Sequence, residues 1–220
     1  NSMDSSIEVR LPFLDYRLQV DFTHTNSGKT YRIPGYFAAC GNAAENGCTS
    51  GDQWRVHFAP DRPGAWTWSA TFTQGADVAV DGGGTPVAPI NGTTGTLTIQ
   101  ESTKTGKDFR NKDLGRLQYV GEHYLRHMGT TPDQPNGPWF FKAGPDAPEN
   151  TLAYDDFDGT PNLRSAGSYR KSWAPHQQDY WASDASSYTW DNGKGTELLG
   201  VLRYLSDSVQ VNAFSFLTFS

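Results

Sequence analysis

From Leu14 onward the side chains alternate, and no feature constrains the fold more. Leu14, Tyr16, Leu18, Val20 and Phe22 are interleaved with Asp15, Arg17, Gln19, Asp21 and Thr23. A period of two puts one set on a buried face and the other in water, which is the signature of a strand and excludes a helix. Trp54, Val56 and Phe58 repeat the pattern against Gln53, Arg55 and His57. "PDRPG" (60–64) then supplies turn chemistry, and Trp66, Trp68, Ala70 and Phe72 return against Thr67, Ser69, Thr71 and Thr73. The spacing predicts a hairpin across that turn. After a Gly/Pro-rich stretch, a further strand is built on Leu97 and Ile99. Short alternating strands at this spacing predict an immunoglobulin-like β-sandwich over residues 1–106.

Beyond residue 107 the texture changes. "LGRLQYVGEHYLRHMG" and "GPWFFKAG" read as two more strands, and residues 145–194 as a long polar loop region holding Tyr169, Trp173, Tyr180, Trp181 and Trp190. Loops of that length are functional or disordered, and five aromatics argue for order. Leu198, Leu202, Leu205 and Val209 fall at helical spacing, widened by Leu199 and Val201, with Thr196 as the expected N-cap. "VNAFSFLTF" follows as an apolar strand. Strand, loop, helix, strand is a βαβ unit of a parallel sheet, and two parallel strands do not make a sheet. The expectation is therefore a mainly β chain: a sandwich, then over 107–220 the first βαβ unit of an incomplete TIM barrel.

Composition narrows the classes of function. Charged residues are 19% of the chain, the net charge is −6, and no basic tract suggests nucleic acid. No apolar run approaches the ~20 residues that span a bilayer. The expected partner list accordingly holds neither nucleic acid nor an inserted membrane, and leaves the oligomeric state open. Cys40 and Cys48, the two cysteines, read either as a small disulfide clamping a loop, with an oxidising compartment implied, or as two loop thiols. Asn91-Gly92-Thr93 is a glycosylation sequon.

Several motifs fail on inspection. "NSGKT" (26–30) has the tail of a phosphate loop but carries Thr23 where the motif needs Gly, and it lies between strands. His123 and His127 have metal-ligand spacing for a helix, yet Tyr124 replaces the catalytic Glu and the flanks read as strand. "DDFDG" (155–159) lacks the spacing and closing Glu of a calcium loop, and reads as a solvated turn. "FFKAGPDAPEN" (140–150) is more informative: an apolar strand runs into Asp146, Glu149 and Asn150. In barrel enzymes the site sits at the C-terminal ends of strands, although capping and turn roles suit the same residues.

Two resemblances follow. "NSMDSSIEVRLPFLDYRL" (1–18) resembles a segment of asparagine synthetase, but the Ser-Gly-Gly-x-Asp-Ser ATP loop of that family is absent from the chain, and no function is carried over. "DYRLQVDFTH", "GKTYRIPGYFAACGNAAE" and "WRVHFAPDRPGAWTWSATF" resemble the N-terminal β-sandwich of a group of secreted bacterial glycoside-hydrolase-like proteins. "GRLQYVGEHYLRHMG" and "FFKAGPDAPENTLAYDDFDGT" are similar to the junction where that sandwich passes into a (β/α)8 barrel, and "WAPH" (173–176) and "WDNGKG" (190–195) fit the loop before the first barrel helix. The resemblance implies a secreted, periplasmic or cell-surface polysaccharide-processing glycoside hydrolase without an organic cofactor or metal. Its catalytic carboxylates are expected beyond Ser220, so the 220 residues alone would be inactive. Within them, Asp146, Glu149 and Asn150 could hydrogen-bond sugar hydroxyls, Trp181 or Trp190 could stack on a pyranose, and His176 could sit near the mouth. A non-catalytic carbohydrate-binding or extracellular structural module is the rival reading.

Overall fold

The computed structural model describes residues 12–106, 108, 110–130, 133–146, 150–157, 170–185 and 188–216. Most of the stretch resembling asparagine synthetase lies outside them. The chain is mainly β, with short helices, and forms two compact units: residues 1–41 with 50–140, and residues 42–49 with 141–220. The change of texture near residue 107 does not coincide with the boundary between the units.

The first unit is organised by strand β1 (Tyr16–His24), whose burial alternates as its sequence does. β1 pairs antiparallel on one side with β2 (Thr30–Pro34), from Gln19↔Pro34 to Thr23↔Thr30. On the other side it pairs with β5 (Gly64–Gln74) over nine residues, from Tyr16↔Gln74 to His24↔Trp66. β5 in turn carries β6 (Thr85–Pro86) and β7 (Thr94–Ile99), completing a five-stranded sheet. Its inner face holds Leu18, Val20, Phe22, Trp66, Ala70 and Phe72, the buried core of the unit. At roughly 1.5–3 kcal/mol for each large side chain removed from water, these few residues dominate the stability of the sheet.

The hairpin expected across "PDRPG" does not form. β4 (Trp54–Arg55) pairs with β3 (Tyr36–Phe37) as a two-stranded ribbon. The turn carries the chain from that layer to the facing one. Phe58 stacks on Phe22 at 4.1 Å and meets Trp66 edge-on at 5.1 Å, while Trp54 packs on Phe72 at 4.9 Å. Pro60 and Pro63 remove two donors from any ladder across the turn, so face-to-face packing of the aromatics wins over edge pairing. The second layer is thus a ribbon with its extension rather than a full sheet.

The same turn contains a buried polar network. Asp61 and Arg62 side chains are 1% and 6% exposed. Arg62 donates to Asp61 (Nε 3.1 Å, NH2 2.9 Å) and, through both terminal nitrogens, to Asp133 (3.0 and 2.9 Å). The Tyr31 hydroxyl donates to Asp61 at 2.5 Å, and Lys29 lies 3.6 Å away. Burial alone would raise the Asp61 carboxyl, but the bonds from Arg62 and Tyr31 and the nearby cations outweigh it and hold the group down at about 2.

"LGRLQYVGEHYLRHMG" makes two strands where one was expected. β8 (Leu117–Tyr119) and β9 (Leu125–His127) pair antiparallel around a turn at 120–124, and β10 (Trp139–Phe140) pairs with β9. Gly121, at φ +81°, lets the chain reverse there. His127 accordingly sits in a strand, with its Nδ1 3.2 Å from the Gly115 carbonyl, and His123 is in the exposed turn.

In the second unit lie α1 (Ala43–Asn46), α3 (Ala182–Ala185) and α4 (Thr196–Arg203), which runs on into a π-helical turn, Tyr204–Ser208; α2 (Val78–Asp81) belongs to the first unit. Thr196 is the first residue of α4 and not its cap. That place falls to Gly195, at φ +88°, and the Thr196 hydroxyl bonds Gln177 at 2.7 Å instead. Residues 211–216 are not a strand. They run alongside 141–146 in the same direction, with Asn212 N–H to the Ala143 carbonyl (3.0 Å) and Ser215 N–H to the Pro145 carbonyl (3.2 Å). Pro145 has no N–H to return a bond, and the Asn212 amide occupies Ala143 N–H and the Phe141 carbonyl, each at 2.8 Å. The parallel pair therefore starts but does not propagate as a ladder.

Candidate functional site

The predicted sugar contacts among the described residues, Asp146, Asn150, His176, Trp181 and Trp190, fall in the second unit, where they form separate groups. The first is built on Asn150. Its backbone takes φ +54°, and its carbonyl accepts Ala153 N–H at 2.8 Å, closing the short turn Thr151–Ala153. That turn delivers Tyr154, fully buried, between Trp173 (4.8 Å) and the edges of Phe157 (5.5 Å) and Trp190 (6.5 Å). Lys171 N–H to the Ala153 carbonyl (2.8 Å) and Asp155 N–H to the Lys171 carbonyl (3.0 Å) hold the strand-like segments together.

Two acids serve this cluster. Asp156 Oδ2 accepts the Tyr154 hydroxyl at 2.6 Å and Gly195 N–H at 2.8 Å; Glu197 Oε2 accepts Trp173 N–H at 2.9 Å and the Ser172 hydroxyl at 3.1 Å. Gly195 is obligatory, because a Cβ there would fall 2.2 Å from the Trp190 ring. Burial first, then the hydroxyl's bond to Asp156 and the charges of Asp156 and Glu197, push the Tyr154 phenol far above its ordinary value. The phenol accordingly keeps its proton and donates it in the hydrogen bond to Asp156. Both carboxylates are engaged by backbone N–H groups, so the cluster is suited to packing and not to acid–base chemistry. Trp190, half-buried and stacked on Phe157 at 5.5 Å, is part of that packing.

A second group surrounds α4. His176 Nδ1 lies 2.8 Å from Asp179 Oδ2, and its ring packs on Tyr204 at 4.7 Å. Arg203, the preceding residue, sets its guanidinium 3.7 Å from the Trp181 ring centre. Trp181 is still 58% exposed, so one of its faces is open. That is the geometry of a platform for a flat, weakly polar ligand face.

Asp146 forms the third group. Lys142 Nζ reaches it at 2.6 Å, the Ser215 hydroxyl also bonds it, and together they lower its carboxyl below the ordinary value. Glu149 lies outside the described residues. Of the proposed contacts, then, Asn150 and Trp190 serve one cluster, His176 and Trp181 flank one helix, and Asp146 is tied to the 211–216 segment. Sequence reading missed Tyr154, Phe157 and Arg203; an aromatic every few residues between 154 and 190 was the available signal for the first two. Among the described residues no cluster of acids, histidines and cysteines could hold a metal, and no helix is long and apolar enough to cross a membrane. Cys40 and Cys48 are joined in a disulfide.

Residues 2–73 match the model of a domain of unknown function, DUF5060. No curated protein matches the chain significantly. Among solved structures, the chain is similar to a putative glycoside hydrolase from Bacteroides vulgatus ATCC 8482, at 18% identity and a TM-score of 0.38 over 63% of this chain. It spans 19% of that protein's length.

Proposed function

We propose that the chain is the N-terminal portion of a secreted polysaccharide-processing glycoside hydrolase, an immunoglobulin-like sandwich followed by the first βαβ unit of a (β/α)8 barrel. The supporting observation is the side-by-side, same-direction course of 141–146 and 211–216 with α4 between them in sequence. Parallel neighbours joined through a helix are the repeating element of such a barrel, and the catalytic acids belong at the ends of its later strands. Trp181, open on one face, would serve the rim of the sugar site. The Cys40–Cys48 disulfide suits an oxidising, extracytoplasmic location.

Asp156 and Glu197 are not proposed as the catalytic pair, because each is already committed to backbone N–H groups. The test is reducing-end release from a panel of polysaccharides, by the native-length protein and by residues 1–220 separately. The proposal expects release by the former and none by the latter. Glycan binding without release by the native-length protein would replace it with a binding-module function.

A further inference from the structure

The first unit contains a recess of about 240 Å³ whose lining includes Phe13, Tyr16, Arg17, Gln19, Tyr36 and Trp54. Its aromatic wall is exposed but held in place. Phe13 is 75% exposed and braced edge-on by Phe37 at 6.5 Å, which in turn meets Trp54 at 5.7 Å. Tyr36, 43% exposed, is fixed by its hydroxyl's 2.8 Å bond to His57 Nε2. Such rings offer flat apolar area without an ordering cost on binding.

Arg17 is the unusual member. Other arginines are matched within the protein, as Arg32 is with Asp21 and Arg62 with Asp133. Arg17 is half-buried, its guanidinium close over Gly82, and among the described residues nothing pairs with it. A planar cation with five donors, lining the same recess as the aromatic residues and Gln19, matches a carboxylate attached to an apolar-faced ring.

We infer that this recess is a binding subsite for a carboxylated pyranose, a uronic-acid residue of an acidic polysaccharide. Arg17 takes the carboxylate, Phe13 or Tyr36 takes a C–H face of the ring, and Gln19 bonds a hydroxyl. The inference rests on the glycan-processing reading above and goes beyond it, by naming an acidic glycan and a second place where it is held. The chain's net charge of −6 repels a polyanion at long range, so affinity must come from local pairing.

The test is an NMR-detected titration of the full 220-residue chain with glucuronate and galacturonate, against glucose and galactose. Saturable uronate binding is expected in the millimolar range, with the neutral sugars at least about 10-fold weaker, the difference one charge-assisted contact makes. Arg17→Gln should lose that preference, Arg17→Lys should keep part of it, and Phe13→Ala should weaken all four sugars, each variant melting like the parent. Equal binding of uronates and neutral sugars, an Arg17→Gln variant that binds uronates as the parent does, or no response to any sugar up to about 50 mM would overturn the inference. Hydrolysis of neutral glycans by the native-length protein, with no uronate binding, would remove this subsite and leave the proposed function standing. Uronate binding that depends on Arg17, without hydrolysis of any glycan, would support the subsite and remove the hydrolase.

Discussion

Replacing Asp61 by Asn tests whether the polar network under the 60–64 turn is structural. The substitution keeps the volume and removes the charge. It leaves Arg62, only 6% exposed, with Asp133 as its remaining carboxylate, and that group is 59% exposed. Breaking a buried pair by removing one partner costs about 3–5 kcal/mol, and retention of Asp133 places the expected loss near 3. Linkage gives a similar figure. The Asp61 carboxyl is held at about 2 against an ordinary 3.8; at about 1.4 kcal/mol per pH unit the native state gains of order 2 kcal/mol from ionising it. The sign follows from a depressed carboxyl: the stabilisation is present above pH ~4 and disappears as pH falls towards 2. Urea unfolding followed by tryptophan fluorescence, at pH 7 and at pH 3, measures both. Asp61→Asn should lose about 2–3 kcal/mol at pH 7, and its stability should then fall less steeply than the parent's on acidification. A loss below about 0.5 kcal/mol, with the acid response unchanged, would mean that the network is not buried and coupled as described, since such a value describes a solvent-screened surface pair.

Other consequences are simpler. Trp66→Ala empties the one fully buried tryptophan, in contact with Phe58, Tyr31 and His24, and should cost about 3–5 kcal/mol in the same urea assay. Tyr154→Phe deprives Asp156 of a buried donor and should lower the stability of the second unit by about 1–2 kcal/mol; thermal melts monitored by near-UV circular dichroism would show it, and an unchanged melt would mean the bond is not made. Paired Cys40→Ser and Cys48→Ser substitutions open a short covalent loop and should cost about 2.5 kcal/mol on the loop-entropy relation, read as a lower urea midpoint than that of the oxidised parent.

Much of the first unit could be read in advance, because a period of two declares which side chains are buried. Leu18, Val20, Phe22, Trp66 and Phe72 are core residues as their alternation requires. Alternation names a face and not a partner, which is why the 54–58 segment could be assigned inward yet paired with the wrong strand. The buried Asp61–Arg62 pair left no local mark either: "PDRPG" looks like a solvated turn until Tyr31 and Asp133, far away in sequence, are brought to it. In the second unit the helix was legible from its leucines, but its start was set by Gly195 packing under Trp190. Aromatic content argues for order in the 145–194 loop region. It could not tell Trp190, which packs against Phe157, from Trp181, which faces solvent, because that distinction depends on contacts between segments.

The intact mass of the protein from its native source tests the proposal that these residues open a larger hydrolase. A (β/α)8 barrel takes about 250 residues, so a mass about twice the 24.2 kDa of this chain, or more, is expected. A mass near 24.2 kDa would leave no room for the remaining strands and their carboxylates, and would contradict it.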